Sequence, residues 1–269
     1  MEQNLIDKRT EKEKFRAACM VVKIGSDAIT EGATKEEPLN LALIDDVARQ
    51  CSELINAGVR VAVVSSGAVA CGRYLLGLDE MDMVDRQVEA AFGQPYLIKS
   101  WVEAFAKYGV KTSQVLLTEK DLDSAKLPLK RALQYGAVVI NENDSVSDEE
   151  MREFLVSADN DKLGGFVAIV AEADLLALLT NVNGVLDENG NLITDGALVD
   201  ENKLNGKSVK GTGGMRSKVQ VSRRIQQIGK NAYIAAASEP DIILKIAKGE
   251  TSGICTSFIG REDVQGGSN

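Results

Sequence analysis

Short apolar runs rich in Val, Ile and Leu recur along the chain, each closed by Gly, Asn, Asp, Ser or Thr. They are CMVVKIG (19–25), VRVAVVSSG (59–67), TSQVLLT (112–118), AVVINEND (137–144), DLLALLT (174–180) and NAYIAAAS (231–238). Near-continuous apolar character predicts strands buried on both faces. Between them, apolar residues fall at helical spacing over 39–57, 68–77, 85–108, 121–135, 160–172 and 213–229. Pro240 is placed to open a further short helix in its first turn. Strands alternating with helices predict an α/β fold, a single three-layer αβα sandwich around a mainly parallel central sheet. Residues 181–210 are polar, rich in Gly and Asn and weakly periodic, which predicts a hairpin or loop excursion. With no internal repeat or Pro-rich linker, one domain over 18–260 is expected, between a charged extension (1–17) and a tail (261–269).

Composition narrows the chemistry more than the fold. Hydrophobic residues make up 44% and charged residues 26%, an ordinary balance for a globular chain. A net charge of −9 argues against nucleic acid or an anionic membrane as the main partner. The chain contains no histidine, which excludes His-ligated metals and Ser-His or Cys-His catalysis. Cys19, Cys51, Cys71 and Cys255 form no CxxC pair and read as reduced core thiols of a cytoplasmic protein. No uncharged apolar stretch reaches the ~18 residues a membrane span needs, and the N-terminus lacks the apolar core of a signal peptide.

In open α/β sheets, ligands bind beyond the carboxyl ends of the strands, so the residues closing each run are the candidates. These are Lys23-Ile24-Gly25-Ser26, Ser65-Ser66-Gly67, Asn141-Glu142-Asn143-Asp144 and Thr180-Asn181. Ser157-Ala158-Asp159-Asn160-Asp161 leads into the helix near 160. GTGGMRSK (211–218) leads into the helical VQVSRRIQQIG. Glycine lets the backbone approach a phosphate, and a helix N-terminus favours anions; a plain flexible loop is the alternative. Two familiar phosphate signatures fail. Gly206-Lys207-Ser208 ends like a P-loop, but position 201 is Glu. A dinucleotide fingerprint from Gly211 fails at Arg216, where it needs a glycine.

Taken in order, VVKIGSDAIT (21–30), VSSGAVACGR (64–73), AAFGQ (90–94), QVLLT (114–118), INENDSV (140–146), SADND (157–161), LLTNVNGV (178–185) and GTGGMRSK (211–218) resemble the amino acid kinase family. Within it they are most similar to the branch acting on L-glutamate, over roughly residues 20–258. The resemblance implies the amino acid kinase fold and ATP-dependent phosphorylation of the L-glutamate γ-carboxylate to γ-glutamyl phosphate, a first step toward proline. Many members append a PUA domain; this chain reads as a short form without one. A carboxylate is already ionised at pH 7 and needs no general base, which agrees with the missing histidine. Catalysis then reduces to alignment and charge stabilisation of an in-line transfer.

The resemblance also implies roles. Lys23 would bridge phosphate oxygens, Lys218 would grip the β- and γ-phosphates, and Asp161 would hold both lysines in place. A strand-end lysine is otherwise a solvated charge, whereas a lysine in a helix's first turn opposes the dipole and is less easily dismissed. Gly25 would let backbone N–H groups approach the phosphates. Thr180, Asn181, Thr212, Gly213, Gly214, Met215, Arg216 and Ser217 would line the nucleotide. Ser66, Asp144 and Asn160 would recognise glutamate, with Ser65 and Gly67 adding backbone donors. Capping is the alternative for Asp159, Asp161 and either serine. Mg²⁺ should arrive with ATP, held mainly by phosphate oxygens rather than a protein cage. A homo-oligomer (dimer or tetramer) built through sheet-flanking helices and feedback inhibition by proline are further family expectations.

Some positions depart from the family pattern. Ala158 stands where Gly is usual, Lys162 follows the DND triplet, and Asn181 replaces an Asp at the nucleotide site. Gly184-Val185-Leu186-Asp187 lacks the family's Tyr and Pro, and Arg216 could contact phosphate or face solvent. Two alternatives therefore stand beside the leading one. One is a related kinase acting on aspartate, N-acetylglutamate or a phosphorylated small molecule; the other is a non-catalytic nucleotide-binding protein. INEND and AAFGQ favour glutamate, and Lys23, Asp161 and Lys218 together favour catalysis.

Overall fold

The computed structural model describes residues 15–78, 82–146, 160–204 and 214–260. Within them run seven strands: β1 (Cys19–Ile24), β2 (Arg60–Ser65), β3 (Thr112–Leu117), β4 (Ala137–Glu142), β5 (Leu175–Thr180), β6 (Asn231–Ala236) and β7 (Cys255–Phe258). The helices are α1 (Ser26–Ile29), α2 (Leu41–Asn56), α3 (Ala68–Leu76), α4 (Met83–Lys107), α5 (Lys126–Ala132), α6 (Asn160–Val170), α7 (Met215–Gln227) and α8 (Ile242–Lys248). The strands form one sheet in the order β3-β4-β2-β1-β5-β6-β7. Every neighbouring pair is parallel except β6–β7.

Alternation along each strand divides its side chains between two apolar cores, which makes the three layers. Met20, Val22 and Ile24 of β1 enter one core with Ile44 of α2, Trp101 of α4 and Ile243 of α8. Cys19 and Val21 enter the other, with Leu129 of α5, Val167 of α6 and Val219 of α7. Lys23 continues the Cys19–Val21 series, so period-two geometry alone sends it to the α6–α7 side. The three-layer arrangement matches what the sequence predicts; β3 departs from it, because as the edge strand it is not buried on both faces and Ser113 and Gln114 are exposed.

Three elements differ, each for a local reason. The helix expected over 121–135 shrinks to α5, because Asp121 Oδ2 accepts from the backbone N–H and hydroxyl of Thr118, at 2.9 and 2.6 Å. Such local bonds compete with helix formation, and Pro128 then fits inside the first turn of α5. Strand β7 is too short, at four residues, to carry a readable alternation. Helix α8 begins two residues after Pro240, and Asp241 before it is left-handed, with φ 54°. Its first turn is instead satisfied from α2, where the buried Gln50 Oε1 accepts from Ile243 N at 2.8 Å. The 181–204 part of the predicted excursion closes a small hairpin through an antiparallel Leu186–Leu192 bridge. The 261–269 tail and most of the 1–17 extension lie outside the described residues; Arg16 N donates to Ala247 O at 2.8 Å.

Candidate active site

Lys23, Asp161 and Lys218 come from three different elements and meet at the carboxyl end of the sheet. Lys23 Nζ lies 2.5 Å from Asp161 Oδ1, and Lys218 Nζ lies 2.9 Å from Asp161 Oδ2. The close approach needs small residues on α6. A Cβ on Gly164 would sit 3.3 Å from Lys23 Cβ, and one on Gly165 would sit 2.8 Å from Val221 Cγ1 of α7. Asp161 is fully buried inside the first turn of α6 and so is not an N-cap. Burial pushes its carboxyl up, but the two ammoniums outweigh that and hold it below the usual carboxylate range. The side chains of Lys23 and Lys218 are 5% and 9% exposed. The three charges sum to one net positive charge in a nearly water-free place, where an anionic ligand is strongly favoured.

Beside this cluster, at the ends of β2 and β4, lies a chain of amides and hydroxyls. Glu142 N–H donates to Asn141 Oδ1 at 2.9 Å, and Asn141 Nδ2 donates to Gln94 Oε1 of α4 at 2.9 Å. Asn160 Nδ2 donates to Ser66 Oγ at 2.9 Å and to Asn141 Oδ1 at 3.3 Å. Having accepted from Asn160, the Ser66 hydroxyl keeps its own hydrogen to donate. Asn160 Oδ1 is buried with no partner among the described residues. The pair thus offers one donor and one acceptor side by side, and Asn160 and Asp161 are consecutive, so this offer adjoins the two lysines. Asp144 lies in the turn two residues past β4, half-buried.

The serines are not caps: the N-cap of α3 is Gly67, with φ 108°, and no side chain caps that helix. The Ser65 hydroxyl is taken up by the core. Its hydroxyl accepts from the buried Trp101 Nε1 at 2.9 Å and donates to Ser66 O at 3.1 Å. Asn141 is among the strand-end candidates, but its role is not, and Gln94 and Trp101 are absent from the sequence-based candidates altogether. AAFGQ and INEND contain Gln94 and Asn141, but nothing in the chain pattern joins a mid-helix glutamine to a strand-end asparagine.

Thr180 ends β5, half-buried, and its carbonyl accepts from Ala237 N at 2.7 Å, while Asn181 is exposed. Just beyond them opens a cleft of about 780 Å³, lined by Val182, Gly184, Leu186, Ile193 and Met215 among others. Met215 is the first residue of α7, three residues before Lys218 on the same helix. Gly214 caps α7 with its carbonyl, which accepts from Ser217 N and Lys218 N. Arg216, the second residue of α7, is exposed. Thr212, Gly213 and Asp159 lie outside the described residues. Gly25 follows β1, and a Cβ there would sit 3.9 Å from Lys23 Nζ. That is ordinary van der Waals contact, so Gly25 adjoins the ammonium without its missing side chain being required by the packing.

Comparison with known proteins gives the same direction. The sequence matches the amino acid kinase family over residues 18–236. It is 37% identical over 253 residues to the glutamate 5-kinase of Dehalococcoides mccartyi strain 195, covering 87% of this chain and 67% of that protein. It is 37% identical over 264 residues to the glutamate 5-kinase of Thermus thermophilus, covering 92% and 69%. The glutamate 5-kinase of Methanosarcina barkeri strain Fusaro is 34% identical over 269 residues, covering 91% and 69%. With the sheet, the buried lysine–aspartate–lysine cluster and a family match spanning most of the sequence in agreement, the chain belongs to the amino acid kinase family.

Proposed function

We propose that this chain transfers the γ-phosphoryl group of ATP to the γ-carboxylate of L-glutamate, giving γ-glutamyl phosphate and ADP, the reaction its relatives' names point to. Residues 18–260 form the catalytic unit. The observation that carries the reading is the net positive Lys23–Asp161–Lys218 cluster lying beside the Ser66–Asn160 donor–acceptor pair. A γ-carboxylate oxygen attacks the γ-phosphorus in line, and the bond to the β–γ bridging oxygen breaks. No proton has to move, which suits a site without histidine.

Lys23 and Lys218 spread positive charge over the transferring group, and Asp161 holds both ammoniums in register so that little reorganisation is needed. The Ser66 hydroxyl donates to the α-carboxylate, Asn160 Oδ1 accepts from the ammonium, and Asp144 adds a negative charge near the amino acid end. The nucleotide lies in the cleft beyond Thr180 and Asn181, against Met215, with Gly25 and Gly214 presenting backbone to its phosphates and Ser217 beside them. Arg216 contributes to the same nucleotide site, to which the family resemblance also assigns Thr212 and Gly213. The described residues hold no cluster of three metal-ligating side chains. Mg²⁺ accompanying ATP would be held mainly by phosphate oxygens, where it would supply charge neutralisation.

The same reading includes a homo-oligomer, dimer or tetramer, through the sheet-flanking helices. In its support, α4 exposes Val84, Val88, Phe92 and Tyr96 on successive turns. It also includes a cytoplasmic setting, which suits four buried thiols, and proline as feedback inhibitor. Among the described residues no helix is long and apolar enough to cross a membrane.

The test traps acyl phosphate with hydroxylamine in the presence of ATP and Mg²⁺ across L-glutamate, L-aspartate and N-acetyl-L-glutamate. Hydroxamate with L-glutamate alone is expected. A signal with another acid instead would replace the substrate, and silence across the panel with ATP binding intact would contradict the kinase reading.

A further inference from the structure

The direction of every bond in the amide chain follows from one backbone group. Glu142 N–H can only donate, so the atom 2.9 Å from it must be the oxygen of Asn141. Asn141 Nδ2 is thereby aimed at α4, where it requires an acceptor, and Gln94 Oε1 is that acceptor at 2.9 Å. Asn141 Oδ1 in turn requires donors, so Asn160 must present its Nδ2 and keep its Oδ1 for something else. Next to Gln94, Gly93 packs α4 directly against α3: a Cβ there would overlap the carbonyl oxygen of Ala68, the first residue of α3.

We propose that Gln94 is a positioning residue which, through Asn141, fixes the donor–acceptor sense of Asn160 and makes the acceptor pocket selective for a ligand carrying an ammonium group. The proposal rests on the reading that Ser66 and Asn160 meet the amino acid end of glutamate. Without the Gln94 acceptor, the Asn141 amide, whose residue is 1% exposed, is left with an unsatisfied buried N–H or must turn over. Turned over, it would set NH₂ against both Glu142 N–H and Asn160 Nδ2. Asn160 then loses the bond that fixes its own sense, and its NH₂ is free to face the ligand ammonium. What is lost is discrimination, while the lysine–aspartate cluster stays intact.

The test uses Gln94→Met, which keeps side-chain length and removes the acceptor. Gln94→Asn is the second variant, keeping the amide but withdrawing it by one methylene. Steady-state kinetics are measured with L-glutamate, with glutarate as a competitive inhibitor, because glutarate keeps both carboxylates and lacks the ammonium. In both variants the KM for L-glutamate should rise about tenfold, as for loss of a buried polar partner. The kcat, the KM for ATP and the Ki for glutarate should stay within about twofold, so that selectivity for the ammonium also falls about tenfold. An unmoved KM for L-glutamate, a parallel rise in the glutarate Ki, or a loss confined to kcat would each overturn the proposal. Wild-type turnover of L-glutamate is measured alongside. Its absence overturns the proposed function and this inference with it, whereas an active wild type with unaffected variants overturns this inference alone.

Discussion

At the carboxyl end of the sheet, Asp161 takes an ammonium on each oxygen, from Lys23 and Lys218. At the amino end, Asp174 takes two backbone N–H groups on one oxygen, from Ala18 and Cys19, and Lys230 on the other at 3.2 Å. The residue types are the same and the electrostatic results differ. Asp161 is fully buried in a cluster with one charge left over, whereas Asp174 is 35% exposed and sums to neutrality with its lysine. Neutral backbone donors tie strand ends together without leaving a field. A second buried cation costs stability when no anion is present and is useful only when one arrives. The arrangement of charges around each aspartate therefore separates the proposed reactive site from a structural fastening.

Several substitutions sharpen this contrast. Asp161→Asn strands two buried ammoniums, so it should cost about 3–5 kcal/mol in chemical denaturation and abolish turnover. Lys23→Met and Lys218→Met should each lower kcat by about 10²–10³. Because each leaves a neutral pair, their melting temperatures should match or exceed the wild type's. Asp174→Asn keeps an acceptor for the strand-end N–H groups but loses the charge and the hydrogen bond from Lys230. It should cost about 1 kcal/mol and leave kinetics unchanged. Equal damage to turnover from Asp174→Asn and the lysine variants would erase the distinction.

The pH response should be the smallest effect. For both aspartates burial pushes the carboxyl up but is outweighed, by the Lys23 and Lys218 ammoniums at Asp161 and by backbone N–H groups and Lys230 at Asp174. A folded-state value below the unfolded value of about 3.9 gives stability that is present above that pH and is lost as pH falls through the folded value. Unfolding monitored by circular dichroism should therefore show no loss from these groups between about pH 5 and 8, with their contribution lost only under more acid conditions.

Much of this was legible from the chain because period and position carry it. Six strands announce themselves as apolar runs, and alternation along β1 assigns Lys23 to the α6–α7 side before any partner is known. That Asp161 receives both lysines depends on Gly164 and Gly165 letting α6 press against β1 and α7, a contact between elements that no local pattern encodes. Gln94 and Trp101 lie seven residues apart on α4, and both reach residues at strand ends. Sequence spacing puts them on one face but cannot say that the face meets Asn141 and Ser65. Strand β7 and the shortened α5 escaped for a simpler reason: four residues give no period, and the Thr118–Asp121 bonds override one.

The central claim is that charge left over around Asp161, and not the mere presence of lysine–aspartate pairs, drives phosphoryl transfer. The direct test is kcat for ATP-dependent L-glutamate phosphorylation in Lys23→Met, Lys218→Met and Asp174→Asn, assayed in parallel at saturating substrates. The account predicts falls of about 10²–10³ for the first two and a wild-type rate for the third. A fall of less than about tenfold for either lysine variant, in a protein that melts like the wild type, would contradict it.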